Sequence, residues 1–147
     1  MYRQVLVHEA DQKYQSLLWG FDPEQPVNAF CPTTVTFGMA PSAFLTRRVI
    51  KEMAKQHAFE YPLGAQVLEK ETYVDDTLSG GHSIAEAKAK QQEAHDIQMK
   101  SVFKLRKFVS SNAELLSHLP EDLLAKECTT LFNDCNYCTW FVLAASD

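Results

Sequence analysis

The chain has 147 residues, with 14 Lys and Arg against 19 Asp and Glu for a net charge of −5. At 46% hydrophobic and 22% charged it holds enough apolar material for one globular core, which excludes a disordered, collagen-like or coiled-coil chain. The acidic balance argues against a nucleic-acid binder held by bulk charge and leaves only a local basic face for that purpose. No apolar run reaches the roughly 18 residues of a membrane span. Val5-Leu6-Val7 gives way at once to His8 and Glu9, so the N-terminus lacks a secretory core. These features predict an intracellular chain, cytoplasmic or nuclear, not secreted and not membrane-bound, with its four cysteines reduced.

Val5 to Val7 reads as the end of a strand. Asp11 suits a helix cap, with Tyr14, Leu17 and Leu18 at i, i+3 and i+4 along one helical face. Gly20 to Pro26 is a loop, and the alternation of Thr33-Thr34-Val35-Thr36-Phe37 predicts a strand closed by Gly38. Pro41 opens a helix striped by Leu45, Val49 and Met53, whose other faces carry Arg47, Arg48, Lys51 and Lys55. Pro62-Leu63-Gly64 reads as a breaker. From Val67 to Leu78 two β-type runs meet at Asp75-Asp76 and stop at Ser79-Gly80-Gly81. Ser83-x-x-Glu86 is a capping box that starts a helix, with Glu86 and Lys90 as an i, i+4 pair. Val102 to Val109 alternates as a strand, and Ser111-x-x-Glu114 opens a short helix ending near Pro120. The order β-α-β-α-β-β-α-β-α predicts an α+β fold, a small antiparallel sheet with helices packed on one face.

Tyr73-Val74-Asp75-Asp76 is the most informative stretch. Adjacent carboxylates repel each other and have poor β propensity, so their place in a β-type run points to a cation that offsets them. Hard divalent ions such as Mg²⁺ prefer carboxylate oxygen, and phosphoryl transfer through two metals uses a carboxylate clamp of this kind. The same four residues also fit a polar turn in which Asp75 and Asp76 only cap backbone amides.

Set between β-type runs, Tyr73-Val74-Asp75-Asp76 resembles the catalytic hairpin of reverse transcriptases, a match expected by chance in about one chain in a thousand of this size. Further segments follow in the same order. Met1-Tyr2-Arg3-Gln4-Val5 is similar to the tail of the first palm motif. Thr36-Phe37-Gly38-Met39-Ala40-Pro41-Ser42-Ala43-Phe44 is similar to the second, and Phe103-Lys104-Leu105-Arg106-Lys107 to the strand of the fourth. The ordered set most resembles the RNA-directed DNA polymerase of Pao/BEL-type LTR retrotransposons. It divides the chain into a partial polymerase palm over residues 1–120 and a divergent tail over 121–147.

The resemblance implies template-directed nucleotidyl transfer with Mg²⁺ or Mn²⁺ held by Asp75 and Asp76. It places Tyr73 and Val74 beside the primer end, and it makes Tyr2 a steric gate against a ribose 2′-hydroxyl. Phe37, Gly38, Ala40 and Pro41 would form the turn under template and incoming nucleotide, and Lys107 would lie near the triphosphate as a general acid for pyrophosphate. Arg47 and Arg48, with Lys51 and Lys55, would offer positive charge to a template backbone. The implied partners are an RNA or DNA template-primer and a deoxynucleoside triphosphate, with the fingers and thumb supplied by a longer polyprotein. The first-motif aspartate of the family would fall before Met1, so residues 1–147 are expected not to polymerise alone.

Two other readings share the fold: a retroelement relic without enzymatic activity, and a small α+β interaction domain. A palm stripped of neighbours would leave Phe37, Phe44 and Phe103 uncovered. Cys135-x-x-Cys138, with Cys128 and His118, supplies zinc-ligand types at irregular spacing, and the expectation is unpaired thiols, not zinc.

Overall fold

The computed structural model of the protein describes residues 2–74, 76–101, 103, 105–125 and 139–145. The chain divides into two compact units, Met1–Thr46 and Arg47–Ser146. Among the described residues no helix is long and apolar enough to cross a membrane.

In the first unit, the two strands expected around Val5 and Val35 meet in a single antiparallel bridge between Leu6 and Thr34. The Val7 amide donates to the Thr33 carbonyl at 2.9 Å and the Val35 amide to the Val5 carbonyl at 2.9 Å. The helix expected to align Tyr14, Leu17 and Leu18 does not form. A 3₁₀ segment, Glu9–Gln15, stops at extended Ser16, and Leu17–Trp19 becomes strand β1, antiparallel to β2 at Asn28–Phe30. The helical face had no core to meet, since Tyr14, Leu17 and Leu18 are all exposed. The Gln15 amide is instead drawn to the carbonyls of Pro32 and Thr34 at 2.7 and 2.8 Å, and the Thr36 hydroxyl donates to Gln15 Oε1 at 3.1 Å. Ser42 Oγ donates to the Thr36 carbonyl at 2.5 Å and tethers the chain where helix α1, Ser42–His57, begins.

The second unit holds the rest of α1, helix α2 (Pro62–Lys70), strands β3 (Thr72–Tyr73) and β4 (Asp76–Gly81), helix α3 (Ile84–Met99), and strands β5 (Leu105–Ser110) and β6 (Thr139–Ala145). The four strands form one antiparallel sheet in the order β3-β4-β6-β5. The tail therefore supplies the strand between β4 and β5. Helices α2 and α3 pack on the sheet. Along β4 the side chains alternate, Thr77 and Ser79 buried, Asp76 and Leu78 exposed, which leaves one face of the sheet open. The core gathers Val67, Ala87, Ala94, Phe108, Leu115, Leu116 and Phe141. Phe37 and Phe44 are exposed as expected, but Phe103 is fully buried.

Pro62-Leu63-Gly64 starts a helix where a breaker was expected. Proline is pre-shaped for the first helical position, and Glu93 of α3 accepts from the free amides of Leu63 and Gly64 at 2.7 and 2.9 Å. At Gly64 the two helices touch: a Cβ there would lie 2.5 Å from the Glu93 carbonyl carbon. The Ser83 capping box forms as expected, Ser83 Oγ accepting from the Glu86 amide at 3.2 Å, while the Glu86 carboxylate reaches the His82 amide at 3.0 Å and Lys90 Nζ at 3.0 Å. The second expected cap shifts by one residue: Asn112 Oδ1 accepts from the Glu114 amide at 2.8 Å and opens a 3₁₀ turn, Ala113–Leu115. The start of α2 is also tied to the end of α3, because Lys100 Nζ pairs with Glu60 at 2.5 Å and lies 4.6 Å from the centre of the Tyr61 ring. The hydrogen bond from Lys100 holds the Glu60 carboxyl below the usual glutamate range.

Gly64→Ala forces backbone against backbone, so it should destabilise the chain by about 1–3 kcal/mol in denaturant titration. An unchanged midpoint would mean that the helices do not meet at this glycine.

Candidate functional site

Strands β3 and β4 form a hairpin with Thr72 opposite Thr77 and Tyr73 opposite Asp76, joined by Val74 and Asp75. The hydroxyls of Thr72 and Thr77 lie 2.9 Å apart, and both side chains are buried. Because side chains alternate across a strand, burying this pair turns Tyr73 and Asp76 to the other face. Tyr73 is 80% exposed, and Leu78, two residues beyond Asp76, is 61% exposed on the same open face. Asp76 occupies the first rung of β4 and pairs on its other side with Ala144 of β6. Its carboxylate stands at the bend, as the sequence predicts, while Asp75 lies outside the described residues.

Val74 carries a φ of 56°, in the left-handed region. Two-residue hairpin loops demand positive φ and are usually met by Gly, Asn or Asp. A β-branched residue there costs about 1–2 kcal/mol, and it persists only where its surroundings fix it. The buried threonine pair and the ladder on each side supply that constraint. Arg47 adds a brace, its guanidinium donating to the Thr72 carbonyl. Arg47 is thus turned to the hairpin backbone, whereas Arg48 is exposed on α1.

Lys107 is exposed on β5, where the pairing with β6 shifts between Arg106 and Val109 and Lys107 itself has a φ of 61°. An irregularity of this kind re-aims side chains along a strand. In the first unit, the Tyr2 ring meets the Phe37 ring edge-to-face with centroids 5.0 Å apart. Phe37 leads into a turn at Gly38, whose φ of 79° suits glycine, and Ala40 and Pro41 are exposed just before α1 begins. The structure therefore brings Tyr2, Phe37 and Gly38 together in one unit, and Tyr73, Val74 and Asp76 together in the other.

Among the described residues, no three carboxylate, imidazole or thiol groups gather as a metal site. Asp76 fits a hard cation in chemistry and exposure, as one member of an oxygen donor set that needs Asp75 to complete a pair. Of the zinc-type residues, Cys128, Cys135 and Cys138 lie outside the described residues. His118 is described, and partial burial, with Lys88 and His95 nearby, pushes its imidazole below the usual range. Sequence reasoning overlooked the Thr72–Thr77 pair and Leu78. Their signal is the mirror order Thr72-Tyr73 and Asp76-Thr77 about the bend, which already specifies the register. No protein-family model, curated protein or solved structure matches the chain.

Asparagine tolerates positive φ, so Val74→Asn should raise the denaturant midpoint by an amount equivalent to about 1 kcal/mol. A fall of similar size would show that the valine side chain contributes more by packing than it costs in strain.

Proposed function

We propose that this chain is the palm portion of an RNA-directed DNA polymerase of the Pao/BEL retrotransposon type, working in the cytoplasm or nucleus, and that Asp75 and Asp76 hold its divalent ion. The observation that carries this reading is the hairpin bend itself. Tyr73 and Asp76 flank a two-residue turn on the open face of an antiparallel sheet, and Val74 is held in a strained conformation between them. Strain of this kind persists at sites where a side chain must be aimed, and a plain solvent turn would carry glycine or asparagine instead.

When bound, Mg²⁺ or Mn²⁺ would supply charge neutralisation for an attacking 3′-oxygen and a leaving pyrophosphate. The protein's own residues bind and orient. Asp76 presents its carboxylate from a bend fixed by Thr72 and Thr77, and Asp75, its neighbour in sequence, would supply the second carboxylate of the pair. Tyr73, largely exposed beside them, offers its ring to the primer end. Tyr2 packs edge-to-face with Phe37, and its ring would occupy the space that a ribose 2′-hydroxyl needs. Gly38 lets the backbone of the second turn approach a nucleotide without a Cβ in the way. Lys107 carries the proton that a pyrophosphate oxygen accepts as it leaves.

Calorimetric titration of Mn²⁺ into residues 1–147 tests the carboxylate assignment. Asp76→Asn and Asp75→Asn should each weaken binding by about tenfold or more, the equivalent of 1.4 kcal/mol. Wild-type affinity in both variants would reduce the bend to a polar turn and favour the non-enzymatic readings, the relic or the interaction domain.

A further inference from the structure

The β1–β2 hairpin of the first unit buries none of its strand residues. Its register sets Leu17 opposite Phe30, so both share a face with Trp19, two residues further along β1. Phe21 turns back onto that face. Its ring meets that of Trp19 with centroids 6.4 Å apart at 80°, and that of Phe30 at 5.9 Å and 89°. Rings set at near right angles leave faces open in the corners between them, and here Phe21 is 82% exposed and Trp19 55%. An exposed cluster of this kind marks an interaction surface.

The open face of an aromatic ring attracts a cation, yet none of the chain's own takes this place. Among the described residues the cations seated on rings lie elsewhere, Lys13 over Tyr14 at 5.1 Å and Lys100 over Tyr61 at 4.6 Å. Residues 1–46 hold two cations, Arg3 and Lys13, against four acids, Glu9, Asp11, Asp22 and Glu24. Two of those acids stand in the loop just after Phe21. Asp22 turns that loop, its Oδ1 accepting from the Glu24 amide at 3.0 Å and its carbonyl from the Gln25 amide at 3.1 Å. Among the described residues neither Asp22 nor Glu24 forms an ion pair. Ring faces beside unpaired carboxylates attract a cation and repel a phosphate chain.

We propose that this face docks an extended segment of a partner protein and takes up an arginine side chain from it. A guanidinium is planar, so it stacks on a ring while its N–H groups reach a carboxylate, whereas lysine brings only a point charge. The segment is extended because β1 and β2 pair only with each other, which leaves each with an unpaired edge. A third strand adds backbone bonds that a two-stranded ladder lacks. A second copy of the chain fits this face poorly, since it would set Asp22 and Glu24 against the same acids. The inference stands apart from the polymerase reading, which uses no residue of β1 or β2.

Fluorescence anisotropy tests it with a dye-labelled, blocked seven-residue peptide of alternating threonine and valine around one central arginine. The arginine peptide should bind about fivefold or more tightly than its citrulline counterpart, a neutral isostere, with the lysine peptide between them. Trp19→Leu and Phe21→Leu keep the apolar surface and should each weaken binding about two- to fivefold, and Trp19→Phe should restore most of that loss, which separates the ring from folding. Asp22→Asn with Glu24→Gln, which preserves the oxygen that turns the loop, should weaken binding and flatten its salt dependence. Equal affinity for the citrulline peptide, wild-type binding by both leucine variants, or no binding at millimolar peptide would each overturn the proposal. Self-association of the chain that Trp19→Leu abolishes would also overturn it, by giving the face to a second copy.

Discussion

The buried contact between the Thr72 and Thr77 hydroxyls fixes what the rest of the hairpin can do. A strand repeats every two residues, so a slip of one position would turn Tyr73 and Asp76 into the helix layer and bring the threonines out. Two hydroxyls that satisfy each other can be buried at little cost, whereas a carboxylate in the same place would need a partner. The pair therefore locks the register, the register places Asp76 on the open face, and the bend is left only two residues in which to turn. Val74 takes its left-handed φ as a consequence of that shortness.

The same sheet is held from behind by a layer that tolerates little change. Gly64 lets α2 lie against the backbone of α3, and Glu93 satisfies two amides that a helix start would otherwise leave to water. On the strand side Ser79 of β4 stands opposite Phe141 of β6, and both are buried. The layer also contains Gln91 and Gln98, fully buried on α3, and among the described residues neither atom of the Gln91 amide nor Gln98 Oε1 has a partner. Each such group costs about 1–3 kcal/mol, so apolar packing around Val67, Ala94, Phe108 and Phe141 must outweigh it.

Features set by neighbouring residues were legible in the sequence. The bend at Tyr73–Asp76 and the capping box at Ser83 and Glu86 are decided within a few positions, and the structure forms both; the stripe expected on α1 is displaced, since Leu45 is exposed and the buried face runs through Ser42, Thr46, Ile50 and Ala54, with only Met53 shared. Features decided at long range were not. Nothing near Pro62-Leu63-Gly64 reveals that Glu93, some thirty residues later, will cap a helix there. The helical spacing of Tyr14, Leu17 and Leu18 carried no information about a missing core, and the hairpin β1–β2 took its place. The seat of β6 between β4 and β5 depends on pairing partners more than thirty residues away, and the irregularity at Lys107 arises only once that pairing exists. Of the candidate site, the face on which Asp76 stands could be read from simple alternation. The engagement of Arg47 with the Thr72 carbonyl could not, since a helix pattern shows only that an arginine is off the apolar stripe.

The strain at Val74, the locked register and the outward Asp76 acquire a common purpose if the bend grips a divalent ion. Paramagnetic broadening of backbone amide resonances during addition of Mn²⁺ locates such an ion directly. Signals of Tyr73, Val74, Asp76 and Thr77 should fade first and together, with their cross-strand neighbour Ala144 close behind. Loss centred on another acidic stretch, such as Glu86 or Glu121 and Asp122, or an even decline over the whole spectrum, would contradict a metal-binding role for the hairpin.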